Sequence, residues 1–192
     1  MKSINVIHFL FTLFNSQNHY NKVITTCNKI QCYGPITPKL ADNLIDALHK
    51  VQEDGLQYTK ESTCGYVPIY LTLKSEYGDL ESVMRVVEAM DQHLFNINTI
   101  NKSQIGGNSC MIFLNGHQRY ASKDSIFSLS DLPDITRKYQ TKPIKPLPNQ
   151  MKDMFRTKSV MPGLMMNTYY YQNSRLNYEK ARKYKMFDYR VK

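Results

Sequence analysis

The side chains that could act as metal ligands or thiol nucleophiles are few and scattered along the chain. Cysteines occur at positions 27, 32, 64 and 110, and no two of them form a CxxC pair. No histidine follows them at the spacing of a zinc finger, and the HExxH motif does not occur. We therefore predict no metal site and no other cofactor, and we expect reduced thiols that are mostly buried.

Two further candidate nucleophiles follow a pair of glycines. Ser109 and Cys110 come soon after Gly107, and His117 or His93 could serve either of them as a base. Helical spacing, however, directs both side chains away from the face on which Gly107 lies. His117 also follows the expected end of the helix, where a surface loop is the simpler interpretation. A nucleophile–base pair at this point is an open alternative that we do not favour.

The elements that would position these residues alternate between strand and helix. Patterns typical of buried strands occur at 29–33, 67–73, 96–101, 119–121 and 126–129. Helical periodicity begins after Thr37, an expected N-cap followed by Pro38, and again after Asp79, whose helix reaches about residue 92. A shorter helix is expected at 110–114, and a polar loop at 52–65. This order indicates an α/β fold with parallel strands.

The two ends of the chain are less regular. Residues 141–149 contain three prolines, each of which removes a backbone donor and opposes a continuous helix. A short helix is predicted at 150–157, and the tyrosines at 169–171 favour a strand. Asn177 is expected to cap a final helix at 178–185, before a short strand near 187–191. Residues 1–28 form an N-terminal extension that we interpret as a leader or a short helix.

Several segments in the same order resemble the Clp protease proteolytic subunit family. Residues 69–80 (IYLTLKSEYGDL) are similar to the family's strand IYLYINS and its PGG turn. Residues 104–116 (QIGGNSCMIFLNG) resemble its GQAASMGAFLLAAG segment, and 119–121 (RYA) match KRYA. Near the C-terminus, 179–188 (EKARKYKMFD) resemble EEAKEYGLID. Upstream, 30–43 resemble the strand, turn and helix start that open the family's core.

The resemblance implies a fold and a domain organisation. It extends over residues 29–192, which would form one ClpP-like domain with the ClpP/crotonase-like α/β fold, a spiral of repeated strand–turn–helix units. It is weak between about 131 and 168. The long handle helix of the family would lie there, but the segment is shorter and holds the prolines. We therefore expect an atypical, Pro-interrupted handle.

The resemblance also assigns the catalytic positions of the family to residues that cannot perform its chemistry. The nucleophilic serine position falls on Gly107, which has no side chain. The histidine position falls on Ser130, whose hydroxyl is not a base near neutral pH. The aspartate position falls on Asn173, which carries no charge to stabilise a cationic base. Gly78 and Asn108 would form the turn that corresponds to the oxyanion hole.

A catalytically inactive subunit of the ClpR type, and not an enzyme, is what these substitutions imply. The expected setting is a hetero-oligomeric Clp protease core in a plastid, an apicoplast stroma or a mitochondrial matrix. Homologous active ClpP-like subunits and an ATP-dependent unfoldase would be its partners. An alternative is a pseudoenzyme scaffold subunit in another large organellar complex.

A second alternative is a crotonase-type acyl-CoA enzyme, which shares this fold. The backbone N–H groups of Gly78 and of the Gly106-Gly107 pair would then hold a thioester oxygen. The nearby carboxylates that could supply acid–base chemistry are Glu76, Asp79 and Glu81. Helix capping and solvation are the simpler interpretations of these three carboxylates.

The net charge is +9, and the excess of basic residues lies late in the chain. Residues 175–192 include seven basic side chains against Glu179 and Asp188. A basic surface can bind nucleic acid or an acidic partner, but no nucleic-acid-binding motif accompanies this one. A solvated surface or a subunit contact is the simpler interpretation, so the charge does not by itself predict a nucleic acid partner. No segment is long and apolar enough for a membrane-spanning helix.

Overall fold

The structure, a computed structural model, describes residues 21–61, 67–130 and 146–191, the side chains of residues 59–61 excepted. Within these residues the chain forms eight strands and six helices. The strands are β1 (Lys22–Thr26), β2 (Lys29–Tyr33), β3 (Ile69–Ser75), β4 (Ile97–Gly106), β5 (Arg119–Ala121), β6 (Ile126–Ser128), β7 (Arg175–Asn177) and β8 (Tyr189–Arg190). The helices are α1 (Pro38–Glu61), α2 (Leu80–Asp91), α3 (Ser109–Leu114), α4 (Asn149–Lys158), α5 (Gly163–Tyr171) and α6 (Tyr178–Lys183).

A single sheet connects all of the strands. Its main path runs in the order β1-β2-β3-β4-β5-β8. β1 is antiparallel to β2, whereas the other neighbours along this path are parallel. α1 links β2 to β3 and α2 links β3 to β4, which is the strand–turn–helix repeat that the sequence predicts. β6 pairs with the far end of β4, and β7 returns antiparallel to β6.

The sheet has one buried face and one face that the described helices leave uncovered. Inward residues such as Ile30, Leu71 and Leu73 are fully buried and share one core cluster with the apolar side chains of α1, α2 and α3. Alternate residues point the other way, because successive side chains in a strand project from opposite faces. We call this second surface the open sheet face. Its members, most of them exposed or half-buried, are Lys22, Ile24, Thr26, Lys29, Gln31, Tyr33, Tyr70, Thr72, Lys74, Asn98, Ile100, Lys102, Tyr120 and Tyr189.

α1 is longer than the sequence predicts, and the predicted loop at 52–65 is wrong over 52–61, which are helical. Residues 62–66 lie outside the described residues. The ring of Phe95 lies directly against Gly55, so closely that a Cβ there would collide with it. Gln52 also accepts the backbone N–H of Leu94 at 2.9 Å. Contacts with residues that are distant in sequence therefore extend a helix whose own sequence is polar.

The tyrosines at 169–171 form the end of helix α5, so the predicted strand is wrong. Tyr169 and Tyr170 are buried and join the core cluster together with Met166. Positions 166, 169 and 170 fall on one side of a helix, so helical geometry buries all three side chains at once. This tertiary burial outweighs the preference of tyrosine for strands.

The sheet begins within the segment that the sequence analysis assigned to an N-terminal extension. Residues 22–26 of that segment form β1, and residues 1–20 lie outside the described residues. Residues 131–145 of the expected handle segment also lie outside them. Within the rest of that segment, α4 begins directly after Pro148 and buries Met151 and Phe155 in the core.

Several other elements are confirmed. β2 and β5 have the predicted bounds. Thr37 caps α1, with its hydroxyl accepting the N–H of Leu40 at 3.3 Å, and Asn177 caps α6 by accepting the N–H of Lys180 at 3.1 Å. In the part of the chain that the structure describes, no helix is both long and apolar enough to cross a bilayer.

Arg119 joins the C-terminal elements to the sheet. Its guanidinium donates to both carboxylate oxygens of Asp188, from Nε at 3.1 Å and from Nη2 at 2.8 Å, and it also donates to the backbone carbonyl of Lys158. Burial raises the pKa of Asp188, but the hydrogen bonds and the charge of Arg119 outweigh it and hold the pKa below its ordinary value. One side chain thereby connects β5, the end of α4 and the residue before β8.

Asp79 is the N-cap of α2, and its removal provides the first prediction. Its carboxylate accepts the N–H of Ser82 at 3.0 Å and the Ser82 hydroxyl at 2.9 Å, which lowers its pKa. We expect Asp79→Ala to lower the free energy of unfolding by about 1 kcal/mol at pH 7, and Asp79→Asn, which keeps an accepting oxygen, to lower it by less. Urea unfolding monitored by circular dichroism measures both changes.

The same experiment at pH 3 tests the ionised cap. A carboxyl whose pKa is lowered by folding adds stability that is present above its ordinary pKa and is lost as the pH falls through the lowered value. The difference in the free energy of unfolding between the wild-type chain and Asp79→Asn should therefore be smaller at pH 3 than at pH 7. A difference that stays constant would mean that the charge of Asp79 contributes nothing to the cap.

Candidate functional site

Backbone pairing brings the three predicted triad positions to one end of the sheet. Gly107 directly follows β4, and its N–H donates to the carbonyl of Ser128 at the end of β6 at 2.9 Å. Ser128 is paired in turn with Arg175 of β7. Ser130 follows the end of β6 by two residues, and Asn173 precedes the start of β7 by two residues. The positions of Gly107, Ser130 and Asn173 therefore converge where β4 and β6 end and β7 begins.

Gly107 lies in a sharp strand-to-helix turn. Its φ angle is +55°, in the left-handed region, and the residue is buried. Its carbonyl accepts the N–H of Cys110 at 3.1 Å, which starts α3. Serine nucleophiles of hydrolases occupy strained turns of this kind, where the strain presents the hydroxyl to the substrate. Glycine adopts the same backbone without strain and presents no side chain.

Ser130 and Asn173 are placed by local backbone interactions. Ser130 is only 3% exposed, and its carbonyl accepts the Ser128 hydroxyl at 3.3 Å. Asn173 has a φ of +51° and follows the end of α5, where its N–H donates to the carbonyl of Tyr170 at 3.3 Å. Asparagine is one of the residues that tolerate this helix-ending conformation, so its presence at 173 has a structural reason.

Gly78 and Asn108 are in direct contact. The side-chain amide of Asn108, itself buried, donates to the carbonyl of Gly78 at 2.9 Å. Backbone hydrogen bonds from Ile36 to Tyr77 and from Asp79 to Ile36 hold Gly78 from its other side. A Cβ on Gly78 would come within 2.6 Å of Val83 and 2.9 Å of Ser109. The turn is thus closely packed, and its contact with Asn108 joins the end of β3 to the start of α3.

A buried pair of serines supports this junction and was missed by the sequence analysis. The hydroxyls of Ser75 and Ser109 lie 2.9 Å apart, and both residues are almost fully buried. The signal was present in the strand pattern, because Ser75 continues the inward positions of Ile69, Leu71 and Leu73. A serine at an inward position needs a buried hydrogen-bond partner.

Comparisons with known proteins bear on the fold. Neither the models of protein families nor the curated protein sequences contain a match to this chain. Among solved structures, ClpP1 from Listeria monocytogenes is similar with a TM-score of 0.67 and 11% identity, over 86% of this chain and 92% of that one. The ClpP protease catalytic domain from Plasmodium falciparum is similar with a TM-score of 0.64 and 13% identity, over 100% of this chain and 94% of that one.

This chain has the ClpP fold. The resemblance noted in the sequence is confirmed at this level, and so is the predicted α/β class. At identities of 11% and 13% the two structures establish the fold alone. What the ClpP fold does in this chain therefore has to be argued from its own residues.

Within the described part of the ClpP fold, the alternative nucleophiles are buried against partners other than a histidine. Ser109 is buried against Ser75, and the thiol of Cys110 is buried at 3.3 Å from the carbonyl of Ser128. His93 precedes β4, and the backbone N–H of His117 donates to the carbonyl of Ile97 at the start of that strand. Ser109 and Cys110 instead lie beyond the other end of β4, at the start of α3.

His93 has hydrogen-bond partners of its own at that distant end. Its Nδ1 accepts the N–H of Phe95 at 3.1 Å, and its Nε2 lies 3.1 Å from the carbonyl of Leu48. With Nδ1 accepting, Nε2 carries the proton and donates to that carbonyl. His93 thus connects α1 to the segment before β4 and has a structural role.

The candidate carboxylates and the described cysteines of this chain are a helix cap, exposed side chains or a buried thiol. Asp79 is engaged as a helix cap, and Glu76 and Glu81 are exposed to solvent. Burial raises the pKa of Cys32 to about 12, so it remains a thiol, whereas Cys27 is exposed. Cys64 lies outside the described residues. Within the residues that are described, no three His, Cys, Asp or Glu side chains are grouped as metal ligands would be.

The left-handed turn at Gly107 gives the second prediction. We expect Gly107→Ala to lower the free energy of unfolding by about 1–2 kcal/mol, because an L-residue is disfavoured at this φ. Gly163→Ala is the matched control, since no atom lies within 4 Å of a Cβ at that position. It should change stability by less than about 0.5 kcal/mol or increase it slightly. Chemical denaturation of both variants gives the values, and equal losses would contradict the geometry at Gly107.

Proposed function

We propose that this chain is a catalytically inactive, ClpR-type structural subunit of a hetero-oligomeric Clp protease core in a plastid or mitochondrion. The observation that carries the proposal is the turn at Gly107. Its buried, left-handed backbone is that of a nucleophile turn, and the residue in it has no side chain. Homologous active ClpP-like subunits and an ATP-dependent unfoldase would be its partners.

Backbone groups alone would not restore activity. Nucleophile, base and orienting acid act as a unit, and loss of the nucleophile or the base removes on the order of a millionfold from the rate. Here the corresponding positions are a glycine, a serine and an asparagine. The neighbouring serine and thiol are buried against partners of their own, so neither replaces the missing nucleophile.

The charges of the open sheet face support a place in a ring. Four lysines lie on it, Lys22, Lys29, Lys74 and Lys102, and no aspartate or glutamate occupies any of its positions. Tyr70, Tyr120 and Tyr189 form a row across three strands, with ring centroids 6.4 Å and 5.2 Å apart. Aromatic side chains with polar tips are enriched at protein interfaces.

The outer surface of α1 and α2, here called the helix layer, has the opposite charge. Among its residues with described side chains, three basic ones lie on it, Lys39, Lys50 and Arg85, and Arg85 is paired with Asp42. The acidic residues are more numerous, all of them exposed: Asp42, Asp46, Glu53, Asp54, Glu81, Glu88 and Asp91. The helix layer and the open sheet face are therefore complementary in charge.

Complementary surfaces on opposite sides of a subunit favour head-to-tail association. A contact of the open sheet face with the helix layer of the next subunit joins two different surfaces, and contacts of this kind close into rings when the rotation permits. The same surface paired with itself would bring lysines together. This is the physical support for a ring position beside homologous subunits.

A scaffold role in another large organellar complex is the second candidate. The observation in its favour is the charge of residues 146–191, which carry nine basic and three acidic side chains. The proposed ring contact does not involve these charged residues. The crotonase alternative has no comparable support, because Asp79 caps a helix and Glu76 and Glu81 are exposed.

Inactivity is the third prediction. The wild-type chain should not react with a fluorescent fluorophosphonate, because it holds no activated serine at the turn. Gly107→Ser alone should also remain unlabelled, whereas Gly107→Ser combined with Ser130→His and Asn173→Asp should acquire labelling and slow hydrolysis of a fluorogenic peptide. Labelling of the native wild-type chain that disappears on denaturation would contradict the proposal.

Assembly is the fourth prediction, and native mass spectrometry of complexes isolated with the tagged chain measures it. We expect homologous subunits that keep Ser, His and Asp in the isolated assembly. Lys29→Glu with Lys74→Glu should reduce the yield of that assembly at least about tenfold, because like charges would face each other in the contact. Lys123→Glu with Lys152→Glu makes the same change in net charge elsewhere and should leave the yield unchanged.

The identities of the co-isolated proteins separate the two candidates. Ribosomal or respiratory subunits in place of Clp subunits would reject the Clp core and support the scaffold role. An equal loss of assembly in both lysine-to-glutamate variants would mean that total charge, and not the open sheet face, controls association.

A further inference from the structure

The excess of basic over acidic residues in the described part of the chain lies in its C-terminal part. Residues 146–191 carry nine basic and three acidic side chains, all nine basic ones exposed. The described residues before them are balanced, with five basic and five acidic residues over 21–61 and five basic and six acidic residues over 67–130. The excess is therefore a local property of one surface, and the ring contact described above does not use it.

A subset of these residues is gathered by the backbone. The N–H of Val160 donates to the carbonyl of Tyr184 at 2.9 Å, which sets the end of α4 beside the end of α6. Lys158 is thereby brought close to Lys183 and Lys185, which flank Tyr184 in sequence. We call the following set the basic strip: Lys158, Lys180, Arg182, Lys183 and Lys185.

The acidic residues of this region do not neutralise the basic strip. Asp153 is paired with Arg156 at 3.3 Å, and Asp188 is held by Arg119, an ion pair that is largely shielded from solvent. Glu179 remains exposed, on the same short helix as three of the basic residues. The strip therefore faces solvent with a net positive charge.

Its composition favours a phosphate backbone over an acidic protein surface. All five of its members are charged and four of them are lysines, whereas the open sheet face also carries tyrosines and isoleucines. Interface cores between proteins are depleted of charged residues, whereas interfaces with nucleic acids are strongly positive and polar, and lysines bind phosphates there as point charges. Contacts to phosphate carry no sequence information, so the contact would be independent of sequence.

We propose that the basic strip is a binding surface for the phosphodiester backbone of a nucleic acid, independent of its base sequence. The interaction is electrostatic, so binding releases condensed counterions and weakens as the salt concentration rises. This function is separate from the proposed Clp role, and neither depends on the other.

Fluorescence anisotropy of the full chain with a labelled, mixed-sequence 20-mer RNA tests the proposal. Five contacts predict that the logarithm of the association constant falls with the logarithm of the salt concentration with a slope of about −3.5. The test variant combines Lys158→Gln, Lys183→Gln and Lys185→Gln. It should bind about 100-fold more weakly at 0.1 M salt, with a slope between about −1 and −2. The control combines Lys39→Gln, Lys50→Gln and Lys123→Gln, which changes the net charge equally, and should bind within about threefold of wild type.

Each result decides the question. A DNA 20-mer that binds within a few-fold of the RNA supports a backbone contact. Equal weakening of RNA binding in the test and control variants would mean that net charge, and not the basic strip, determines the affinity. That result would overturn the proposal. Tighter binding of a polyglutamate peptide than of RNA at equal charge would assign the strip to an acidic protein instead. No change in anisotropy at 50 mM salt would also overturn it. Matching circular dichroism melts confirm that the variants are folded.

Discussion

The close approach of two backbone turns is the constraint on which the rest of the site depends. The turn after β3 and the turn after β4 meet so tightly that a Cβ on Gly106 would collide with the carbonyl of Glu76. The amide of Asn108 and the hydroxyls of Ser75 and Ser109 then provide partners for polar groups that burial would otherwise leave unsatisfied. Small residues and short polar side chains are required here for packing alone. A chain without any chemistry at the site would still have to keep them.

The predicted triad positions, in contrast, are set by backbone contacts at the ends of strands and helices. Gly107 is held by its own N–H, Ser130 follows the end of β6, and Asn173 ends a helix. The left-handed backbone at 107 and at 173 favours glycine and asparagine, respectively. Glycine at 107 avoids strain that a serine would impose there. The ClpP fold is therefore compatible with a glycine at this turn.

Strong local signals made much of the fold predictable from the sequence. Period-two burial located β2 and β3, and the caps at Thr37, Asp79 and Asn177 located three helix starts, because these signals lie within a few residues of the element they define. The segments that were predicted wrongly depend instead on contacts with distant parts of the chain. The polar half of α1 is helical because Phe95 and Leu94 contact it, and 169–171 are helical because the core accepts their rings. These contacts join residues that are far apart in sequence.

The same distinction applies to the candidate site, where some residues could be predicted from local sequence and others could not. Gly78, Gly107 and Asn108 could be located by their spacing from recognisable strands, and the structure brings Gly78 and Asn108 into contact. The strand pattern marks Ser75 as an inward position, but its partner Ser109 could not be located from the pattern, because the register between β3 and β4 shifts between Leu73 and Ser75. A register shift of this kind changes which residues meet without leaving a mark in the hydrophobic pattern.

Arg119 shows how a charged side chain that is paired within the protein can fix the backbone positions of charged residues at the surface. Its guanidinium is paired with the carboxylate of Asp188 and hydrogen-bonded to the carbonyl of Lys158, so it adds little to the positive surface potential. It fixes instead the backbone from which Lys158 projects, at a set distance from the residues after α6. The backbone spacing of these lysines is therefore fixed before any partner binds, so association orders their side chains but not the backbone that carries them. A preorganised array of this kind can hold a ligand with few contacts and still release it quickly.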